Sequence, residues 1–198
     1  MNTYRAELMI ISKRMSTWVL LAVMLTMTAV FAYVLPYATY VSNSADPKAI
    51  SDFQKALPQN LVPNLLEGMP FYLGMVSLVL GAMALGSEFN WKTIKTTLLQ
   101  TSSRAEVVAS KFGALLTVVA VYAVTNFVVG GISSVILALV ESQEIVAPDL
   151  SDLAIGIADG WLILSLWAVF GALLATLSRG TAMAIGLAAA WLSRWALC

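Results

Sequence analysis

Few side chains in this chain have chemistry to offer. The densest group of ionisable oxygens is Glu141, Glu144, Asp149, Asp152 and Asp159, with no Lys or Arg among them. Such oxygens could hold a hard cation, but the spacing lacks the glycine and terminal glutamate of an EF-hand loop, so a solvated acidic loop is the better reading. Histidine is absent and the single cysteine, Cys198, is the last residue. That leaves no imidazole for acid–base work, no His/Cys metal set and no disulfide framework. Neither GxxxxGK[ST] nor HExxH occurs, so the chain cannot hydrolyse ATP alone by P-loop chemistry. Ser102 and Ser103 precede Arg104, and hydroxyls at a helix start ordinarily cap it. Asn126 is the only strongly polar side chain well inside an apolar run. Such residues face the protein interior, as an inter-helix hydrogen bond or as part of a pathway.

The remaining polar chemistry lies between Gly86 and Lys111, the longest polar interval flanked on both sides by runs long enough to cross a bilayer. Trp91, Ile94, Leu98 and Leu99 recur at helical spacing with Lys92, Thr93, Lys95 and Thr96 between them, the pattern of a short amphipathic helix over Trp91–Gln100. Glu88 stands four residues before Lys92, within reach of an i,i+4 pair. Lys92, Lys95, Arg104 and Lys111 outweigh Glu88 and Glu106, and basic loops between membrane spans stay on the cytoplasmic side. A plain interfacial loop with snorkelling basic residues is the simpler alternative.

Composition defines what must position these residues. The chain is 60% apolar and 11% charged, against about 25% charged in a soluble domain. It reads as all-α and polytopic. Spans are expected at about 17–41, 68–87, 112–140 and 160–178, with a partial fifth run at 180–193 that is short of the roughly 20 residues a crossing needs. Residues 1–16 mix Leu8, Met9, Ile11 and Met15 with Arg5, Glu7, Lys13 and Arg14, which predicts an interfacial helix turning into the first span. A secretory signal is disfavoured, because the apolar run to Val41 exceeds a signal core of about 7–15 residues. Pro36 should kink or end the first span near its far interface. Residues 43–67 read as an external loop with a weakly amphipathic piece around Ile50–Leu57, and 141–159 as a second one, with a short interfacial helix at Leu153–Ile157. Gly130-Gly131 should interrupt the third span. Gly74, Ser77, Gly81 and Ala84 place small side chains along one face of the second span, and Gly171 and Ala175 do so in the fourth; such faces let helices approach closely in lipid. Gly156 and Gly160 have GxxxG spacing at a span boundary, a weak dimerisation signal. Most Lys and Arg fall in the N-terminal segment, the 88–111 loop and Arg179, which puts the N-terminus inside.

The 88–111 loop resembles that of the ABC-2-type permeases, the membrane subunits of ATP-driven exporters. Ser87-Glu88-Phe89, Lys92-Thr93-Ile94-Lys95, Leu98-Leu99, Ser103-Arg104 and Lys111 stand in the order of the family's pattern, with Lys92 where a glycine is common. The resemblance implies an N-terminal elbow helix and a cytoplasmic coupling helix, with Glu88, Trp91, Lys92, Thr93, Ile94, Leu98, Leu99 and Arg104 engaging a separate nucleotide-binding ATPase subunit. ATP and Mg would then be bound by that partner and no cofactor by this chain. A second permease copy or a paralogue would complete the assembly in the cell membrane, the inner membrane of a bacterium, and nucleic acid has no part. The family has six spans, so the chain is expected to be an incomplete permease or a shortened member completed by a partner.

Three functions are therefore set against one another. The first is a permease in which Gly74, Ser77, Gly81 and Asn126 belong to a pathway or a helix interface. The second is a structural or accessory membrane subunit without transport. The third, an intramembrane enzyme, needs paired titratable groups within the spans, and the sequence has none. The apolar spans favour an amphipathic cargo over a small ion.

Overall fold

The computed structural model describes residues 3–90, 104–178 and Gly186, with side chains from 3 to 86 and from 106 to 178. The predicted coupling helix at 91–100 and the fifth run at 180–193 lie outside the described residues, Gly186 apart. Every regular element described is helical: α1 (Thr3–Lys13), α2 (Met15–Thr28), α3 (Leu35–Ser42), α4 (Pro47–Lys55), α5 (Leu61–Gly68), α6 (Gly74–Asn90), α7 (Arg104–Val140) and α8 (Leu150–Ser178). π-Helical turns at Ala29–Val34 and Met69–Leu73 join α2 to α3 and α5 to α6. Four stretches are long and apolar enough to cross a membrane: Met15–Ser42, Pro58–Gly86, Glu106–Val140 and Leu150–Ser178. The chain is an all-α, multi-pass membrane protein.

Side-chain placement follows the solvent. Val121, Val124, Val128, Ile132, Ile136 and Leu139 form an exposed apolar stripe on α7 at spacings of three and four, while Ser77, Asn126, Ser134 and several alanines are buried. Lipid takes the branched residues and the small or polar ones face other helices, because packing and hydrogen bonds drive association in a bilayer.

The helices pack as two compact units, one of Met1–Leu20, Gly74–Ala120 and Leu164–Cys198, the other of Leu21–Leu73 and Val121–Ile163. In the first unit, α1 breaks from α2 at Arg14. Thr17 Oγ1 donates to the Ile11 carbonyl at 2.7 Å and Trp18 Nε1 to the Ser12 carbonyl at 2.9 Å, so the carbonyls freed by the break are satisfied across the corner.

The second unit corrects several boundaries. Residues 43–67 are largely helical: Asp46 caps α4 by accepting from the Lys48 amide at 2.9 Å, and Phe53 stacks on Tyr40 with centroids 4.4 Å apart. Helix resumes at Leu61 and not at Gly68, because Leu61 and Leu65 are buried, at 5% and 2% exposure, beside Gly131 and Gly130 of α7. Pro36 does not end the first span. A proline leaves the carbonyl four residues earlier without its helical donor; here that carbonyl belongs to Ala32, inside the π-helical turn, and Asn64 Nδ2 donates to it at 3.4 Å. Gly130-Gly131 does not interrupt α7, whose glycines adopt no positive φ. In lipid a broken helix would strand backbone groups, so the glycines stay helical and serve as contact surface.

The fourth span starts at Leu150, absorbing the short helix expected at Leu153–Ile157. Gly156 and Gly160 face Val62, Met69 and Phe127 of the same chain, so this spacing serves internal packing and not dimerisation. The stretch between α7 and α8 remains a loop. It opens on Ser142 at φ 50, with Gln143 N donating to the Ala138 carbonyl at 2.9 Å, a left-handed helix cap at a non-glycine residue.

Candidate functional site

Three groups of residues with functional potential emerge, each within one unit. The first frames the ends of the two spans that bracket 91–103. Glu88 lies in the last turns of α6 and Arg104 opens α7; their side chains, and all of Trp91, Lys92, Thr93, Ile94, Leu98 and Leu99, lie outside the described residues. The frame itself is well defined. Lys111 Nζ of α7 lies 2.7 Å from Glu7 Oε1 of α1, with the two side chains only 11% and 13% exposed. One turn away the Tyr4 and Thr117 hydroxyls are 2.9 Å apart, and the Tyr4 ring lies over Gly113. Arg14 Nη1, at the end of α1, donates to the Met83 carbonyl of α6 at 3.2 Å. Helix α1 is thus tied to both arms. Sequence reading missed this clasp, because nothing in the order of residues pairs Glu7 with a lysine 104 positions away; the only signal was one acid in an otherwise basic segment.

The second group is the small-residue face of α6. Ser77 Oγ donates to the Leu164 carbonyl of α8 at 2.7 Å and is 1% exposed. Gly74 lies under the Trp167 indole, and a Cβ there would sit 2.7 Å from Nε1. At Gly81 a methyl would strike the Ala168 carbonyl, and at Gly171 the Leu78 carbonyl. Since the bond a Cβ would replace is a Cα–H, two such hydrogens point reciprocally at carbonyls across the interface, a recurrent helix–helix arrangement. Ala82, Ala175 and Leu174 continue the seam.

The third group is the polar contact at Asn126, which is fully buried. Thr28 Oγ1 is 2.6 Å from Asn126 Oδ1 and 3.1 Å from the Met24 carbonyl, while Asn126 Nδ2 has no partner. A hydroxyl has one proton. If Thr28 gives it to Met24, a turned Asn126 amide donates through Nδ2 to Thr28, and each short contact then has a hydrogen. Thr28→Val is expected to cost about 1–3 kcal/mol by stranding a buried amide, whereas Thr28→Val with Asn126→Leu should come close to wild type, since removing both partners is nearly neutral. Unfolding in detergent by SDS titration checks this; a double variant as weak as the single one would refute the pairing.

No metal cluster of three or more His, Cys, Asp or Glu side chains occurs among the described residues. Glu141 accepts from the Tyr37 hydroxyl at 3.0 Å and Asp149 from Ser151 at 3.0 Å, so two members of the acidic loop bond to hydroxyls. No protein-family model, curated protein or solved structure matches the chain.

Proposed function

We propose that this chain is the membrane permease subunit of an ATP-driven exporter of the ABC-2 type, oriented with its N-terminus in the cytoplasm and driven by a separate nucleotide-binding subunit that engages residues 91–100. The observation that carries the reading is the clasp: the interval between α6 and α7 is polar and net basic, and α1 is anchored to both bracketing helices through Arg14 and Glu7. A docked partner that pushes on such an interval moves two spans whose ends are tied to a common strut. Without the ties, force on the interval would deform a loop. ATP and Mg belong to the partner in this reading, and a second permease copy or a paralogue completes the path.

The close approach of α6 and α8 favours a second reading, an accessory subunit that scaffolds a larger membrane complex, since Gly74, Ser77 and Gly81 are committed to packing inside this chain. The two readings part at the interval. Purified from its native membrane, the chain should bring down a nucleotide-binding subunit. Leu98→Asp or Arg104→Glu should release that subunit at least tenfold more readily, a loss of about 1.4 kcal/mol, while the thermal unfolding of the chain is unchanged. Retention of the ATPase by both variants, or labelling of a cysteine at Trp91 only from outside the cell, would remove the coupling assignment.

A further inference from the structure

The second unit holds a groove of about 400 Å³ whose two ends differ in chemistry. At one end stand Asp52 and Lys55 of α4 and Glu67 of α5; at the other Met27, Phe31 and Phe71. Lys55 Nζ lies 3.2 Å from Glu67 Oε2, and these side chains are 51% and 67% exposed, so the charged end is in water. The apolar end is open to hydrocarbon: Met27 and Phe31 are each 38% exposed and Phe71 67%. Both walls carry a π-helical turn, Ala29–Val34 and Met69–Leu73, and Phe31 of one stacks on Tyr72 of the other with centroids 4.5 Å apart. Such turns are frequent at functional sites because they displace a helix wall locally.

We propose that this groove binds one membrane phospholipid with a zwitterionic, amine-bearing headgroup. The charges select the head. Two carboxylates and one ammonium carry a net negative charge, so an anionic lipid is repelled by the pair that a zwitterion satisfies. The headgroup amine takes Asp52 and Glu67, its phosphate takes Lys55, and an acyl chain lies along Met27, Phe31 and Phe71. Exchanging the exposed Lys55–Glu67 pair for two headgroup contacts costs little, because an exposed ion pair contributes at most about 1 kcal/mol. The site holds whether the chain transports or scaffolds, so its test is independent of the reading above.

The experiment uses the whole chain in nanodiscs containing trace spin-labelled phosphatidylethanolamine or phosphatidylglycerol, with the immobilised fraction read by electron paramagnetic resonance. One lipid per chain should be retained, with phosphatidylethanolamine preferred over phosphatidylglycerol by about three- to tenfold, the range that two partly exposed ion pairs supply. Lys55→Met should weaken retention of both lipids. Asp52→Asn with Glu67→Gln should abolish the preference; these side chains are at the surface, so both variants should unfold as wild type does. Soluble phosphoethanolamine should not compete, because it lacks the chain that occupies the apolar end. Equal retention of the two lipids, indifference to these substitutions, or displacement by soluble phosphoethanolamine would each overturn the proposal.

Discussion

Gly81→Ala is expected to be among the most damaging single-methyl additions in this protein, costing about 3 kcal/mol or more, the upper range for overpacking. The usual relief is blocked. Where an added methyl meets the end of a flexible side chain, that side chain moves; at Gly81 it meets the Ala168 carbonyl, and at Gly171 the Leu78 carbonyl, both backbone. Accommodating either means separating α6 from α8, which also stretches the 2.7 Å bond from Ser77 to Leu164. Gly171→Ala should therefore resemble Gly81→Ala, and the two together should lose less than the sum, because separating the helices once relieves both. Gly131→Ala provides the control. There a methyl meets only Leu61 Cδ2 at 3.8 Å, an ordinary contact, and replacing a helical glycine lowers the entropy of the unfolded chain, so stability should hold or rise by up to about 1 kcal/mol. SDS titrations of the four variants in one detergent make the comparison. A Gly81→Ala protein as stable as Gly131→Ala would mean that α6 and α8 do not meet at backbone distance.

The second large effect concerns the clasp. Glu7→Gln or Lys111→Met leaves one charge of a nearly buried pair without its partner, and each should cost about 2–4 kcal/mol, toward the roughly 3–5 kcal/mol observed for fully buried pairs. Replacing both, Glu7→Gln with Lys111→Met, should recover much of that loss, since no unpaired charge remains. The reversed pair, Glu7→Lys with Lys111→Glu, should recover more. Stability is one readout. The other is the spacing of α1 from α7, measured as the distance between spin labels on cysteines introduced at the exposed Met9 of α1 and Val108 of α7, with Cys198→Ser as background. Single variants should lengthen or broaden that distance, and the reversed pair should restore the wild-type value. Additive losses in the two singles and the double would show that Glu7 and Lys111 act separately. If the clasp carries force in an exporter, the singles should also lower ATP-driven transport while the ATPase stays bound, which separates loss of the strut from loss of docking.

Much of the architecture followed from composition and periodicity. Charge scarcity and four long apolar runs specify a helical membrane protein, because in hydrocarbon each backbone group must bond within its own segment. Small residues at helical spacing marked α6 and α8 as faces for close approach, for the same reason. A turn from an interfacial helix into the first span was legible in the change from mixed to apolar sequence near residue 16, and the break lies at Arg14. Glycine misled where a soluble-protein rule was applied, since Gly130-Gly131 continues a helix; Pro36 stands in the last turns of the first span as expected, but the helix runs on to Ser42 after a π-helical turn whose Ala32 carbonyl accepts from Asn64. Residues 43–67 looked like a loop because their polar positions dominate, although Ala49 and Phe53 carry enough apolar surface to seat α4.

What tertiary structure alone decided is which distant residues share a contact. Glu7 meets Lys111, Asn126 meets Thr28, Gly81 meets the Ala168 carbonyl, and α4 brings Asp52 and Lys55 to one end of a groove whose other end is lined by Met27, Phe31 and Phe71. Periodicity reports the face a side chain occupies on its own helix and carries no information on what covers that face. In lipid this gap is widest, because the spans are apolar nearly all round and hydrophobicity no longer separates inside from outside; the partner is chosen by shape and by a handful of hydrogen bonds, which exist only once the helices are assembled.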